Sequence, residues 1–239
     1  MSYIENPKNR GSGIVACIPQ KNTCPMNCDD CFFQSGRSYL EPLSEKLPNM
    51  PDPEWVGDRL VRVCDGNDAN VEKELVIEST NIYKNRFFNT SIPNLDFPAP
   101  VVLTVNPGKM TDKEFHKIHP IPKNLMYVRA RTNLWNDSLI EEIVSYYTGN
   151  DIPVVLTFMA YHQIKSIPEK YRYAYNYRKR TLNPYYAIKT INFHEIMSLY
   201  ADNLYVYSCG KIEGIEEGTK CKHCGNCLRE YWRVMDVRD

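Results

Sequence analysis

Residues 125–159 read LMYVRARTNLWNDSLIEEIVSYYTGNDIPVVLTFM. Leu125–Ala130 and Pro153–Met159 are short runs rich in Val, Leu and Tyr, the composition of buried strands. Between them, Asn136–Thr148 carries a helical period. Leu139, Ile140, Ile143, Val144 and Tyr147 share one face, Ser138 and Glu141 have capping-box spacing, and Gly149 ends the segment. A strand, a helix and a second strand in that order predict a right-handed crossover between parallel strands.

The same rhythm extends in both directions. Gly13–Ile18, Leu60–Cys64, Val101–Val105 and Leu204–Tyr207 are further strand-like runs. Most are continuously apolar, as parallel strands covered on both faces require. A helix is expected from Thr111, with Glu114 at the box position, stopping before Pro120. Weaker helical patterns cover Ala69–Arg86 and Phe193–Tyr200, and part of the proline-rich stretch Tyr39–Glu54. The expected fold class is α/β: a partial, about six-stranded, parallel β/α barrel over residues 1–208. Six units fall short of a closed eight-stranded barrel, and a doubly wound open sheet is the alternative. Residues 209–239 read as a small cysteine-rich C-terminal extension.

The chain has 239 residues, 29 basic and 29 acidic side chains, and 43% hydrophobic residues. That hydrophobic content excludes wholesale disorder, and zero net charge argues against a general polyanion binder. A chain of this length buries roughly 70–75% of its unfolded surface and needs no staples. The nine cysteines therefore demand another explanation. The polar start, Met1–Arg10, and the short first apolar run do not form a signal peptide, and no stretch is long enough to span a membrane. A cytoplasmic location is expected, where thiols stay reduced and clustered cysteines read as metal ligands before disulfides. Cys17 and Cys64, isolated in apolar runs, read as small buried hydrophobes.

Cys24, Cys28 and Cys31 have the spacing C-x3-C-x2-C, directly after the first strand. Three thiolates in one loop hold three irons of a 4Fe–4S cluster and leave the fourth open to a small molecule. Zinc is more often held by C-x2-C pairs or with a histidine. This loop resembles that of the radical S-adenosylmethionine (SAM) superfamily, closely over Cys24–Cys31 and loosely in the β/α order of residues 11–208. The resemblance implies that SAM chelates the open iron and is reductively cleaved to a 5′-deoxyadenosyl radical, which abstracts a substrate hydrogen. It also implies an external reductant such as flavodoxin or ferredoxin. Asp65-Gly66-Asn67-Asp68 stands where the family has Gly-Gly-Glu-Pro, and would offer carbonyls and a carboxylate to the SAM amino group. Arg131, or alternatively Arg129, would pair with the SAM carboxylate, a surface salt bridge being the alternative for either.

Position along the chain supports one active face. The cysteine loop, Asp65–Asp68, Asn106-Pro107-Gly108, Arg129, Arg131 and Asn133, Tyr161 and His162, and Cys209 each follow or end a predicted strand. In β/α barrels that is where reactive groups gather. His162 reads as a substrate contact or as a structural histidine.

Cys209, Cys221, Cys224 and Cys227 form a second group. Their C-x2-C-x2-C run suits a closed 4Fe–4S cluster, and it looks like the auxiliary-cluster extensions of some radical SAM enzymes. A four-cysteine zinc site is the alternative. The segment Lys165–Lys189 interleaves basic residues with tyrosines, which reads either as a contact to a nucleotide or nucleic-acid substrate or as an edge strand or lid packed on the barrel. Two other functional classes stay open: a zinc-binding nucleic-acid module, and an iron–sulfur protein without radical chemistry.

Overall fold

The computed structural model describes residues 2–26, 31, 33, 39–106, 118–179, 184–210, 212–214 and 221–236. Seven strands build its main sheet: β1 (Ile14–Cys17), β2 (Leu60–Val63), β3 (Arg86–Thr90), β4 (Val101–Val105), β5 (Leu125–Thr132), β6 (Val154–Phe158) and, late in the chain, Val206–Gly210. Between the last two lies an antiparallel hairpin, β7 (Tyr175–Arg178) and β8 (Tyr185–Ile188), so the final strand is β9. The sheet order is β1-β2-β3-β4-β5-β6-β9, and every neighbouring pair is parallel. Strands added in one direction without reversal make a half-barrel, not a doubly wound sheet.

The structure adds one strand to the six expected: β3 begins at Arg86, where the helical pattern Ala69–Arg86 ends. There the helix α2 covers only Lys73–Thr80, after a short α1 at Pro53–Val56. Helix α3 (Asp137–Thr148) lies where its pattern placed it, but the cap differs. Asn136, and not the Ser138–Glu141 box, ties the helix start to β5. Its side chain donates to the Arg131 carbonyl at 2.7 Å and accepts from the Asn133 N–H at 3.0 Å. Helix α4 spans Thr190–Ser198, slightly ahead of its predicted range. The helix expected from Thr111 falls outside the described residues.

Register explains the two sides of the sheet. Side chains two apart share a face. One face presents Val15, Val61, Val63, Phe88, Leu103, Val128 and Leu156 to Val76 of α2 and to Ile140, Ile143, Val144 and Tyr147 of α3. Cys17 is fully buried in this layer, as expected of a small hydrophobe. The other, concave face is split along the strands. Its N-terminal half is apolar, with Ile14, Leu60, Phe87, Val102, Tyr127 and Val155. Its C-terminal half carries Arg62, Asn89, Thr104, Arg129, Arg131, Thr157 and Cys209.

The C-terminal segment fills the apolar half. After a single turn, α5 (Cys221–Cys224), helix α6 (Asn226–Asp236) sets Cys227, Tyr231 and Val234 into that layer. Glu230, 1% exposed, pairs with Arg229 at 2.9 Å and Arg233 at 2.6 Å. Arg233 in turn donates to the Met126 carbonyl at 2.8 Å. A boundary between 208 and 209 thus runs through β9, and the cysteine-rich tail is continuous with the concave core. Gly210, with φ +113°, lets β9 close on β6, since a Cβ there would collide with the Phe158 carbonyl.

If α6 is part of the core, Tyr231→Ala should cost about 3–5 kcal/mol in urea unfolding, the range for deleting a buried aromatic. Leu204→Ala, at a residue 84% exposed, should stay within about 0.5 kcal/mol.

Candidate functional site

The polar half of the concave face opens into a cavity of about 550 Å³. Loops after the strands complete its wall, which is where the sequence had placed the reactive groups. Cys24 and Cys31 line it, as do Cys209, Cys221, Cys224 and Cys227. Cys28 lies outside the described residues. Asp65, Gly66, Asn67, Asp68, Asn106, Arg129, Arg131 and His162 also line it. Tyr161 does not; it is buried against Trp135 at a centroid distance of 5.5 Å.

The loop after β2 holds the first cysteine loop. Asn67 donates to the Asn22 carbonyl at 3.0 Å, and Gln20 donates to the carbonyls of Asp68 and Val71, both at 2.9 Å. Gly66, with φ +136°, passes so close to the Phe33 ring that a Cβ would overlap it. Asp68 braces the start of the next loop by accepting from the Thr90 hydroxyl, from the N–H and hydroxyl of Ser91, and from the Asn70 N–H.

Arg62 was not singled out in the sequence, yet it joins the most parts of the site. It donates to Asp65 at 2.7 Å and to Asn9 at 3.1 Å, and lies 3.9 Å from the Cys221 sulfur. Asn6 donates to the same Asp65 oxygen at 2.8 Å. Burial works against the Arg62 charge, but Asp65 and the thiols of Cys221 and Cys227 raise its pKa well above the ordinary value. Burial would likewise raise the Asp65 carboxyl, yet Arg62 and Asn6 hold it below the usual carboxylate range. The available signal for Arg62 was a cation inside an apolar strand, LVRV.

The second cysteine group sits over a similar arrangement. The Tyr127 hydroxyl is 3.1 Å from the Cys227 sulfur and accepts from Arg129 at 3.1 Å. Burial opposes the Arg129 charge, while Tyr127, Cys227 and Cys209 raise its pKa. The Cys209 thiol is pulled below its ordinary value, first by its interaction with Cys224 and then, against burial, by Arg129, Lys8 and Arg62. The same interaction, with burial, pushes Cys224 up. Burial also raises Cys221, against the pull of Arg62. Asn89 adds an acceptor: its amide nitrogen is spent on the Val63 carbonyl at 2.9 Å, and its buried side-chain oxygen has no hydrogen-bond partner among the described residues.

Among the described residues, no three His, Cys, Asp or Glu side chains converge as ligands of a single metal ion. No protein-family model, curated protein or solved structure matches the chain. No helix in the described residues is long and apolar enough to cross a membrane.

The Arg62–Asp65 pair makes stability depend on acid. A carboxyl whose folded pKa is depressed contributes stability above its unfolded value, and loses it as pH falls through the folded value. Asp65→Asn leaves Arg62 buried with its charge partner gone, and should cost about 3–5 kcal/mol at pH 7. The gap to the parent protein should shrink as pH is lowered below about 4, measured by urea unfolding at each pH.

Proposed function

We propose that this chain is a radical SAM enzyme, and that the thiols of Cys24, Cys28 and Cys31 hold a 4Fe–4S cluster with one open iron. The observation that carries the reading is the shared cavity. The two described members of the first cysteine group face the same space as the loops after β2, β3, β4 and β6 and the arginines of the concave face.

The donor set fits. Three cysteines fall within eight residues of sequence after β1, with no histidine among them. When bound, the open cluster and SAM supply a one-electron reduction and a 5′-deoxyadenosyl radical for hydrogen abstraction. This chain's own residues bind, orient and exclude water. Arg129 and Arg131 offer guanidinium forks to a carboxylate. The Asn89 side-chain oxygen accepts from an ammonium or a hydroxyl. The carbonyls of Asp65–Asp68 flank the same wall, although both carboxylates are already engaged by neighbours. The apolar half, closed by α6, keeps water out from below. The reductant is a small external one-electron donor of flavodoxin or ferredoxin type.

Cys209, Cys221, Cys224 and Cys227 form the second metal site in this reading. A 4Fe–4S cluster or a zinc ion held by four thiolates carries a net charge of about −2. Arg62, beside the Cys221 sulfur, and Arg129, linked to Cys227 through the Tyr127 hydroxyl, supply the compensating positive charge in a place where bare cations are costly.

Metal analysis of the anaerobically reconstituted protein should give about eight irons per chain. About four irons with one zinc would assign zinc to the second site, and two zincs without iron would sink the proposal. With SAM and dithionite, the protein should release 5′-deoxyadenosine. Cys24→Ala and Cys31→Ala should each abolish that product, and Cys224→Ala should lower the metal content at the second site alone.

A further inference from the structure

The chain balances 29 basic against 29 acidic residues, but Lys165–Lys189 holds seven basic residues, one acid and six tyrosines. The structure divides this segment in two. Tyr171 and Tyr175 pack on Trp135, at centroid distances of 5.7 and 6.0 Å, and Tyr175 also meets Tyr161 at 5.5 Å. These rings are core. Other side chains of the segment point outward. Tyr173 is 64% and Tyr177 54% exposed, and Lys165, Lys170, Arg172 and Lys179 are exposed with them.

This surface borders the cavity. The backbone of Tyr161, just past β6, pairs with that of Tyr186 in β8 through bonds of 3.0 and 2.7 Å. The hairpin is thereby fixed over the C-terminal end of β6. Tyr185, next to that bridge, lines the cavity, and Arg178 stands opposite it across the hairpin. The nearby acid Glu213 is occupied, accepting from Asn176 at 2.7 and 2.8 Å. Of the segment's own charges, only Glu169 opposes the cations.

We propose that the β7–β8 hairpin and the turns before it are a docking surface for single-stranded nucleic acid, which presents one nucleotide to the cavity. The identity of the cavity's chemistry rests on the reading in the previous subsection; the docking does not. Three observations select this partner. Cations spread along the segment suit several phosphates in sequence. Exposed tyrosines between them suit base stacking, which an acidic peptide would not use and a duplex would deny by hiding its base faces. A cavity of about 550 Å³ is the size of one small-ligand pocket. With SAM inside, it admits a single base or ring, so the bulk of the substrate must stay on the rim.

The test is fluorescence anisotropy of labelled mixed-sequence 12-mers, RNA in one arm and DNA in the other, with the reconstituted protein. Both arms use a range of salt, and whichever arm binds more tightly identifies the source. Four phosphate contacts give a slope of log K on log salt near −2.8, or a loss of about 50-fold between 50 and 200 mM. Lys170→Gln with Lys179→Gln should flatten that slope by about 1.4. Tyr173→Ala and Tyr177→Ala should each weaken binding by roughly 5- to 150-fold. Lys84→Gln, at the opposite end of the strands and paired with Asp58 at 2.9 Å, should change neither quantity. Circular dichroism confirms that the variants fold. Absence of binding at 50 mM salt in both arms overturns the proposal. So does duplex binding as tight as single-strand binding, displacement by poly-glutamate at equal charge, or equal weakening by Lys84→Gln. SAM cleavage without oligonucleotide binding would sink the docking alone. Oligonucleotide binding without SAM cleavage would sink the radical reading alone.

Discussion

Arg62 is the constraint around which the site is organised. A guanidinium buried in a parallel strand is costly unless its charge is answered, and the Nε of Arg62 still has no hydrogen-bond partner among the described residues. Here the answers come from distant parts of the chain: Asn9 before β1, Asp65 after β2, and Cys221 in the tail. Asp65 also takes a hydrogen bond from Asn6. The N-terminal segment, the second loop and the C-terminal cysteines are therefore drawn to one point. Arg129 repeats the pattern three strands away, through the Tyr127 hydroxyl to Cys227. Two cations on the concave face thus fix where the tail must return.

That return divides the half-barrel into two functional layers. Below, apolar side chains of six strands and the Tyr231 face of α6 close on one another, and hydrophobic burial is the driving force. Above, the inward positions are arginine, asparagine, threonine and cysteine, and the space is open. The change occurs within single strands: Leu60 belongs to the floor and Arg62 to the cavity, Phe87 to the floor and Asn89 to the cavity. One residue of register shift would turn these polar groups into the convex core, so the pleat fixes site and fold together.

The β-α-β unit at 125–159 was legible because strand and helix periods there are uncontaminated. The placement of candidate residues on loops after strands was legible for the same reason: order along a parallel sheet converts directly into one end of a barrel. β3 was not, because RFFNT has a polar residue at each end and an inward Asn89, and it follows a helical pattern with no clear stop. Helix α6 was read as part of an appendage because Cys227, Tyr231 and Val234 are separated by charged residues. Glu230 among them is buried only by virtue of Arg229 and Arg233. Contacts such as Arg62 to Cys221 span 159 positions and leave no local pattern. The basic-tyrosine segment was half legible. Its alternation marked it, but only the fold separates Tyr171 and Tyr175, which pack, from Tyr173 and Tyr177, which do not.

The contrast between the two layers argues that the cavity is kept open for a purpose. The same barrel, with the same strands, fills its lower half with Tyr231 and Val234, so the chain has the means to close its interior. Extending that solution upward would stabilise the fold, since each fully buried apolar side chain contributes about 1.5–3 kcal/mol. Instead the upper half carries ionisable groups whose mutual attractions only offset the cost of burying them. Six thiols from two separated groups, and the arginines facing them, share that one space. Packing does not require this composition. The metal sites proposed above would give it a use, since such groups need sulfur ligands, neighbouring positive charge and shelter from water.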